Sequence, residues 1–307
     1  KQLPIDCELL TFVTDVRKTE SGYEVSVVNR KGVNVYGTKT MILATGCRKR
    51  TARQVFIHGT RPAGIFSAGT AQHFTNLLGQ LPTKKCVILG SGDIGLIMAR
   101  RLTLEGAEVL GVYEAKPEPS GLTRNILQCL KDFNIPLHLS HTVTRVFGED
   151  RLTAVEISQV DEAMRPIAGT EEIVDCDALI LSVGLIPENE LAEKLDVKLD
   201  RRTKGPVCNE ALMTSQPGIF FCGNALHVND LVDYVSESGE LAGKAAAHYV
   251  HKEEAVIPVN ISDSLLYLVP QGISEPNGHP VTLYFRSRKA MTNARFTISV
   301  NGRQVYE

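Results

Sequence analysis

The feature that most restricts the fold of this chain is a short apolar run at residues 86–89 that leads directly into a glycine-rich turn. The turn reads Gly90-Ser91-Gly92-Asp93-Ile94-Gly95. An apolar strand followed by Gly-x-Gly-x-x-Gly and an amphipathic helix is typical of a βαβ unit that binds a dinucleotide. The first glycine allows the tight turn, the second lets backbone N–H groups approach a pyrophosphate, and the third lets the helix pack on the strand. The sequence therefore predicts a dinucleotide site at these six residues.

The choice of dinucleotide depends on the next apolar strand, residues 109–113, which ends at Glu114. An acidic residue about 20 positions after the glycine turn accepts hydrogen bonds from the adenosine ribose hydroxyls. The same carboxylate repels a 2′-phosphate. The sequence thus favours NAD(H) over NADP(H). We also include Gly184, at the end of a later apolar strand, among the residues that line this site.

Size and charge restrict the class of protein. The chain has 307 residues, is 43% hydrophobic and 22% charged, and carries a formal net charge of −2. A chain of this length forms two or three domains. Its near-neutral charge argues against a nucleic-acid partner, and its apolar runs are shorter than the roughly 20 residues that span a bilayer. We expect a cytoplasmic oligomer without a membrane span.

Cysteine and histidine positions give no sign of a metal site or a redox disulfide. The seven cysteines stand at positions 7, 47, 86, 129, 176, 208 and 222. Their spacing includes neither Cys-x-x-Cys nor Cys-x4-Cys, so neither a disulfide between neighbouring cysteines nor a zinc site is indicated. No histidine stands in a recognisable catalytic motif. No residue is identified from the sequence as a catalytic acid, base or nucleophile.

Two more segments resemble the strand before Gly184, because each is an apolar strand that ends in small residues. They are residues 41–46 and 218–224. Small residues at a strand end let the backbone pass close to a bound group. Beyond Pro258, short strand patterns and an Asn301-Gly302 turn predict a small β-rich region.

Four motifs in a fixed order carry a family resemblance. They are Ala44-Thr45-Gly46, Gly90-x-Gly92-x-x-Gly95, Ser182-Val183-Gly184-Leu185-Ile186-Pro187 and Gly218-Ile219-Phe220-Phe221-Cys222-Gly223-Asn224. Over about residues 1–253 the chain resembles the pyridine nucleotide-disulphide oxidoreductases, flavoproteins with two dinucleotide-binding folds. Residues 43–48, 59–64 and 69–72 are more similar to the branch without a redox disulfide, which includes subunits of opine, sarcosine and hydrogen cyanide-forming dehydrogenases.

The resemblance implies an α/β protein with two Rossmann-like domains. An NAD(P) domain at 82–186 would be inserted into an FAD domain formed by 1–81 and 187–253, and residues 254–307 would form a small β-rich C-terminal domain. Carried over by position, Thr45 and Gly46 would lie against FAD, while Gly223 and Asn224 would meet its ribityl and phosphate side. Asn224 stands where the family usually has Asp.

The implied FAD domain is incomplete. The family's N-terminal glycine-rich loop has no counterpart here, and we expect roughly 100 further residues to precede this chain in a longer parent. A flavin dinucleotide needs its pyrophosphate held at a helix N-terminus. We therefore expect the isolated chain to lack tightly bound FAD.

The function implied is an FAD-dependent oxidoreductase. It would move electrons between NAD(H), or an amine- or hydroxy-type donor, and an acceptor, and its partner would be a small-molecule substrate or another dehydrogenase subunit. The alternative is a non-catalytic NAD-binding or docking subunit of a larger dehydrogenase. A single-domain NAD dehydrogenase that acts on an alcohol is a weaker reading, because it leaves the strands ending at Gly46 and Asn224 unexplained.

The cofactor assignment can be tested at Glu114. Replacing Glu114 with Ala should weaken NAD(H) binding by about 1–3 kcal/mol, because the ribose hydroxyls lose their acceptor. The unmodified chain should bind NADP(H) more weakly than NAD(H) in titration calorimetry. Equal or tighter binding of NADP(H) would contradict the assignment.

Overall fold

The computed structural model describes residues 5–250, 256–274, 280–289, 291 and 293–306. They form two compact units, of which one comprises the chain up to Cys47 and from Pro187 onward, and the other comprises Arg48–Ile186. We call the first the flanking unit and the second the inserted unit. The grouping differs from the domain limits expected from sequence, since residues 48–81 belong to the inserted unit and the C-terminal region belongs to the flanking unit.

The strands in chain order are β1 (Phe12–Thr19), β2 (Gly22–Asn29), β3 (Gly32–Thr38), β4 (Met41–Leu43), β5 (Cys47–Lys49), β6 (His58–Gly59), β7 (Ile65–Ser67), β8 (Lys85–Leu89), β9 (Glu108–Glu114), β10 (Leu137–Leu139), β11 (His141–Gly148), β12 (Leu152–Gln159), β13 (Glu172–Asp175), β14 (Ala178–Leu181), β15 (Leu185–Pro187), β16 (Ile219–Phe221), β17 (Ile257–Pro258), β18 (Leu265–Val269), β19 (Gly272–Ile273), β20 (Tyr284–Ser287), β21 (Ile298–Val300) and β22 (Arg303–Tyr306). The α-helices are α1 (Ala68–Gln72), α2 (Asp93–Leu104), α3 (Thr123–Cys129), α4 (Glu190–Lys194) and α5 (Val232–Ala247). Short 3₁₀ turns lie at Ala52–Val55, Lys131–Phe133 and Gly223–Ala225, and a π turn lies at His73–Leu77.

A five-stranded parallel sheet organises the inserted unit. Its strand order is β10-β9-β8-β14-β7. Strands β8 and β14 consist almost entirely of buried apolar residues, as expected of parallel strands covered on both faces. Helix α2 packs Leu96, Ala99 and Leu102 into the same core. Because the strands are parallel, β8, β9 and β14 all end at one edge of the sheet, which is the edge where ligands of open α/β sheets bind.

A second sheet of the inserted unit has the order β13-β12-β11-β6. Strands β11 and β12 form an antiparallel pair, joined through residues 149–151. Their buried residues, including Val143, Val155 and Ile157, share a core with Val87 and Leu179 of the parallel sheet. This second sheet therefore supports β8 and β14 from one side.

The flanking unit contains the antiparallel sheet β1-β2-β3 and the parallel pair β4-β16. Strand β2 forms a hairpin with β3, and β1 adds a third strand on the other side of β2. Phe220 and Phe221 of β16 are completely or almost completely buried and pack with Leu43, Leu226 and Ala242. This core fixes the end of β4 beside the end of β16.

The C-terminal region is β-rich, as predicted. Its strand pairs are β17-β19, β18-β20 and β21-β22, all antiparallel. Asn301 and Gly302 both have positive φ, 51° and 76°, in the turn that joins β21 to β22, which is the backbone that an Asn-Gly hairpin turn requires. Across the described parts of the chain, every helix is too short or too polar to serve as a membrane span.

A matched pair of glycine substitutions tests the packing at the end of β8. Gly90 and Gly106 have nearly equal φ values, +101° and +98°, but a Cβ on Gly90 would clash with the Ser182 carbonyl, whereas a Cβ on Gly106 would meet open space. Gly106→Ala should cost only the backbone strain, about 1–3 kcal/mol. Gly90→Ala should cost a further 1–3 kcal/mol or so through overpacking. Thermal and urea unfolding measure both, and equal losses would show that the contact with Ser182 is unimportant.

Candidate functional site

The glycine turn of the inserted unit is built by close backbone contacts. A Cβ on Gly90 would clash with the Ser182 carbonyl, and a Cβ on Gly95 would clash with the Gly90 carbonyl. A Cβ on Gly92, in contrast, would meet only the Ser182 hydroxyl, at 3.9 Å. The first and third glycines are therefore required for packing, and the backbone at Gly92 borders open space.

Helix α2 begins next to this open space. Gly92 is the N-cap residue, and no side chain caps the first turn of the helix. The first turn of any helix leaves N–H groups without intrahelical acceptors, and the helix dipole favours an anion there. The Asp93 carboxylate is engaged elsewhere, since its Oδ1 accepts hydrogen bonds from Leu122 N–H at 2.9 Å and Asn125 Nδ2 at 2.7 Å. The geometry fits a pyrophosphate.

Glu114 ends β9 beside this turn and is buried, with 7% of its surface exposed. Its Oε2 accepts hydrogen bonds from Ser91 N–H at 3.1 Å, Ser91 Oγ at 2.6 Å and Ser120 Oγ at 3.1 Å. Its Oε1 accepts one, from Lys116 N–H at 3.1 Å. A buried carboxylate is stable only when it is paired or hydrogen-bonded, and here backbone and hydroxyl donors serve that purpose.

The structure thus brings the predicted NAD residues to one edge of the parallel sheet. Gly90, Ser91, Gly92, Asp93, Ile94 and Gly95 follow β8, and Glu114 ends the neighbouring β9. Gly184 follows β14, the neighbour of β8 on the other side; it has a φ of +95°, and a Cβ there would meet open space. The role of these residues in binding NAD stays a prediction.

The predicted FAD residues lie together in the flanking unit. Thr45 and Gly46 follow β4, and Gly223 and Asn224 follow β16, whose parallel pairing aligns Phe221 with Leu43. Thr45 Oγ1 donates to the Glu188 carbonyl at 2.6 Å, and Glu188 N–H donates to the Gly46 carbonyl at 3.0 Å. These bonds hold the turn after β4 in place.

Among the described residues, the side-chain amide of Asn224 uses its oxygen but not its N–H groups. Its Oδ1 accepts hydrogen bonds from Asn229 N–H at 2.9 Å and Asn229 Nδ2 at 3.4 Å. Within the residues that the structure describes, the Asn224 amide donates to no partner. Nearby, no side chain caps α5, which begins at Val232. The free amide, the open space at Gly46 and the uncapped helix fit a flavin group with hydroxyl and phosphate acceptors.

Sequence reasoning missed the contacts of three serines that shape these sites. Ser182 packs against the glycine turn, Ser120 donates to Glu114, and Ser238 Oγ accepts the Gly223 N–H at 2.9 Å. Ser182 opens the family motif that contains Gly184, so the motif offered a signal for its position near the site. Ser120 and Ser238 carry none, because a single serine in a loop or helix has no characteristic pattern.

In the described structure none of the seven cysteines forms a disulfide, and five of them are buried. Burial raises the pKa of the Cys86 and Cys208 thiols to about 12 and that of Cys176 to about 11. Such thiols stay protonated at neutral pH and are poor nucleophiles. Among the described residues, no group of three or more His, Cys, Asp or Glu side chains is arranged to hold a metal ion.

The family of the chain follows from comparison with known proteins. Residues 5–248 match the family described as pyridine nucleotide-disulphide oxidoreductase. The chain belongs to this family. Its members bind FAD and depend on NAD(P), which confirms the two cofactors that the sequence indicated.

Individual relatives are distant. The chain is 27% identical over 237 residues to hydrogen cyanide synthase subunit HcnB of Pseudomonas aeruginosa, covering 71% of this chain and 49% of that protein. It is 25% identical over 235 residues to an NADH oxidase of Methanocaldococcus jannaschii, covering 73% of this chain and 48% of that protein. The chain thus spans about half the length of the curated relatives it matches.

Solved structures show the same fold. The thioredoxin reductase of T. acidophilum superimposes with a TM-score of 0.60 at 22% identity, over 77% of this chain and 72% of that chain. This likeness concerns the fold alone. It confirms the predicted α/β architecture with two dinucleotide-binding folds.

Thiol accessibility offers a test of the cysteine environments. Of the seven cysteines, only Cys7 is exposed and only Cys47 is partly exposed. A chromogenic disulfide reagent at neutral pH should therefore react quickly with these two in the native protein and with all seven after unfolding. Cys7→Ser and Cys47→Ser should each remove one fast-reacting thiol. Fast reaction at Cys86 or Cys208, or a disulfide found in the native protein by mass spectrometry, would contradict the structure.

Proposed function

We propose that this chain works as an FAD-dependent pyridine nucleotide oxidoreductase that exchanges electrons between NAD(H), or an amine- or hydroxy-type donor, and an acceptor. The observation that carries the proposal is the edge of the parallel sheet in the inserted unit. There an uncapped helix N-terminus borders open space at Gly92 and lies next to the buried carboxylate of Glu114. An anion site beside a ribose acceptor is what a dinucleotide requires.

In this proposal the N–H groups at the start of α2 bind the pyrophosphate of NAD, and Glu114 accepts from the adenosine ribose. The open backbone at Gly184, which follows β14 at the same edge of the sheet, leaves room for the rest of the dinucleotide. The negative charge of Glu114 disfavours a 2′-phosphate, which supports NAD(H) over NADP(H).

In the flanking unit, Thr45, Gly46, Gly223 and Asn224 would hold FAD. The free amide of Asn224 would donate to a ribityl or phosphate oxygen, and Gly46 leaves space for the group to lie against the backbone. When bound, FAD carries the electrons between donor and acceptor. The residues of the chain then bind and orient both cofactors.

A second function is favoured by one observation. The relative from Pseudomonas aeruginosa is by its name a subunit of hydrogen cyanide synthase. By that analogy this chain would be a non-catalytic NAD-binding or docking subunit, whose partner dehydrogenase subunit supplies the chemistry. A cytoplasmic location and an oligomeric state belong to both versions of the proposal.

A Gly92 substitution tests the dinucleotide site. The φ of Gly92 is −64°, which any residue adopts, and its Cβ position is open. Gly92→Val should therefore fold but fill the space in front of the helix N-terminus, and weaken NADH binding by at least about tenfold, the equivalent of about 1.4 kcal/mol. Gly106→Ala, at a distant turn, is the control and should bind NADH normally once folded. Normal binding of NADH by Gly92→Val would overturn the assignment of the site.

Flavin reduction separates the two functions. Anaerobic NADH added to protein in which bound FAD has first been demonstrated by flavin fluorescence should bleach the visible absorbance of that flavin if the protein is an oxidoreductase. NADH binding without bleaching would support the docking subunit instead. Absence of NADH binding would contradict both.

A further inference from the structure

The two oxygens of the Glu114 carboxylate accept different numbers of hydrogen bonds. A carboxylate has about four acceptor positions, two on each oxygen. Oε2 accepts three hydrogen bonds, from Ser91 N–H, Ser91 Oγ and Ser120 Oγ. Oε1 accepts one, from Lys116 N–H. Oε2 is therefore fully occupied by the protein, and Oε1 retains capacity for one more donor.

The two serines form a closed network in which each proton is assigned. Ser120 N–H donates to Ser91 Oγ at 2.8 Å, so the Ser91 hydroxyl donates its own proton to Glu114. Lys116 Nζ donates to Ser120 Oγ at 3.3 Å, so the Ser120 hydroxyl likewise donates to Glu114. Charge-assisted bonds of this kind are the strong ones. We call Ser91, Ser120 and Glu114 the serine clamp.

The segment that carries Ser120 is anchored to the glycine turn. Leu122 N–H and Asn125 Nδ2 both donate to Asp93 Oδ1. A Cβ on Gly121 would lie 2.8 Å from the Ser91 carbonyl and 2.6 Å from Leu96 Cδ1, so the backbone there is already in contact with the turn. Ser91 itself is completely buried. The clamp is thus held from both sides and has little freedom to open.

We propose that Ser91 and Ser120 are positioning residues that make Glu114 a single-point acceptor for the dinucleotide. The proposal rests on the proposed binding of NAD at this edge of the sheet. Oε1 accepts a hydrogen bond from one adenosine ribose hydroxyl. The other hydroxyl cannot bond to Oε2, because the donors of Ser91 and Ser120 already occupy that oxygen. This revises the expectation from sequence, in which the carboxylate accepts both hydroxyls.

NAD⁺ analogues that lack one adenosine ribose hydroxyl test the proposal. The chain should bind one of 2′-deoxy-NAD⁺ and 3′-deoxy-NAD⁺ within about twofold of NAD⁺, and the other at least about tenfold more weakly, since only one bond to a charged group is lost. Titration calorimetry measures the three dissociation constants. Equal losses for the two analogues would overturn the proposal. Failure to bind NAD⁺ itself would instead overturn the proposed function.

Removal of the clamp tests the role of the serines. Each single serine-to-alanine variant leaves two donors on Oε2 and should keep most of the discrimination between the two analogues. The double variant Ser91→Ala/Ser120→Ala leaves only the backbone N–H of residue 91 on Oε2, so it should free one acceptor position and reduce the discrimination to about threefold or less. Where the double variant fails to fold, the analogue titrations on the unmodified chain decide the proposal. Ser236→Ala is the matched control, because its hydroxyl bonds only to the Val232 carbonyl in α5. Undiminished discrimination in the folded double variant Ser91→Ala/Ser120→Ala would show that the serines have only a structural role.

Discussion

Two backbone hydrogen bonds align the strand ends on which the inserted unit depends. Gly90 N–H donates to the Tyr113 carbonyl at 2.7 Å, and Ser182 N–H donates to the Leu89 carbonyl at 2.7 Å. They place the ends of β8, β9 and β14 side by side. Because a one-residue slip would turn each side chain to the opposite face of the sheet, this register decides whether the glycine turn, Glu114 and Ser182 meet. The tight contact of Gly90 with Ser182 is a direct result.

Much of this arrangement could be predicted from the sequence, because its signals are local. The strand before Gly90, the glycine turn and Glu114 lie within one βαβ unit, and the apolar runs of β8 and β14 are typical of buried parallel strands. Pairings between distant segments could not be predicted in the same way. Strand β7 joins the sheet through Ile65–Ser67, three residues with no periodic pattern of their own. The sequence therefore offered no sign that residues 48–81 group with the inserted unit.

The site residues likewise fall into those with a local sequence pattern and those without one. Glycines and a strand-ending acid carry a recognisable pattern, since few residues satisfy their backbone and charge requirements. Ser120 donates to a carboxylate in its own loop, and Ser238 accepts from Gly223 across fifteen positions of chain. Serine is common in loops and helices for many reasons, so its identity alone predicts no partner. Such residues are found only once the fold brings them to the groups they serve.

The two candidate sites handle charge in different ways. At Asn224 the family's usual carboxylate is replaced by a neutral amide, whose oxygen is satisfied by Asn229 and whose N–H groups remain for an acceptor. At Glu114 the charge is kept and buried, and its desolvation is offset by hydrogen bonds from Ser91, Ser120 and Lys116 N–H. A second negative group beside Glu114 would be strongly repelled, because salt screens buried charges much less than exposed ones. In the proposed site, discrimination against a 2′-phosphate would therefore follow from how the carboxylate is buried as well as from its charge.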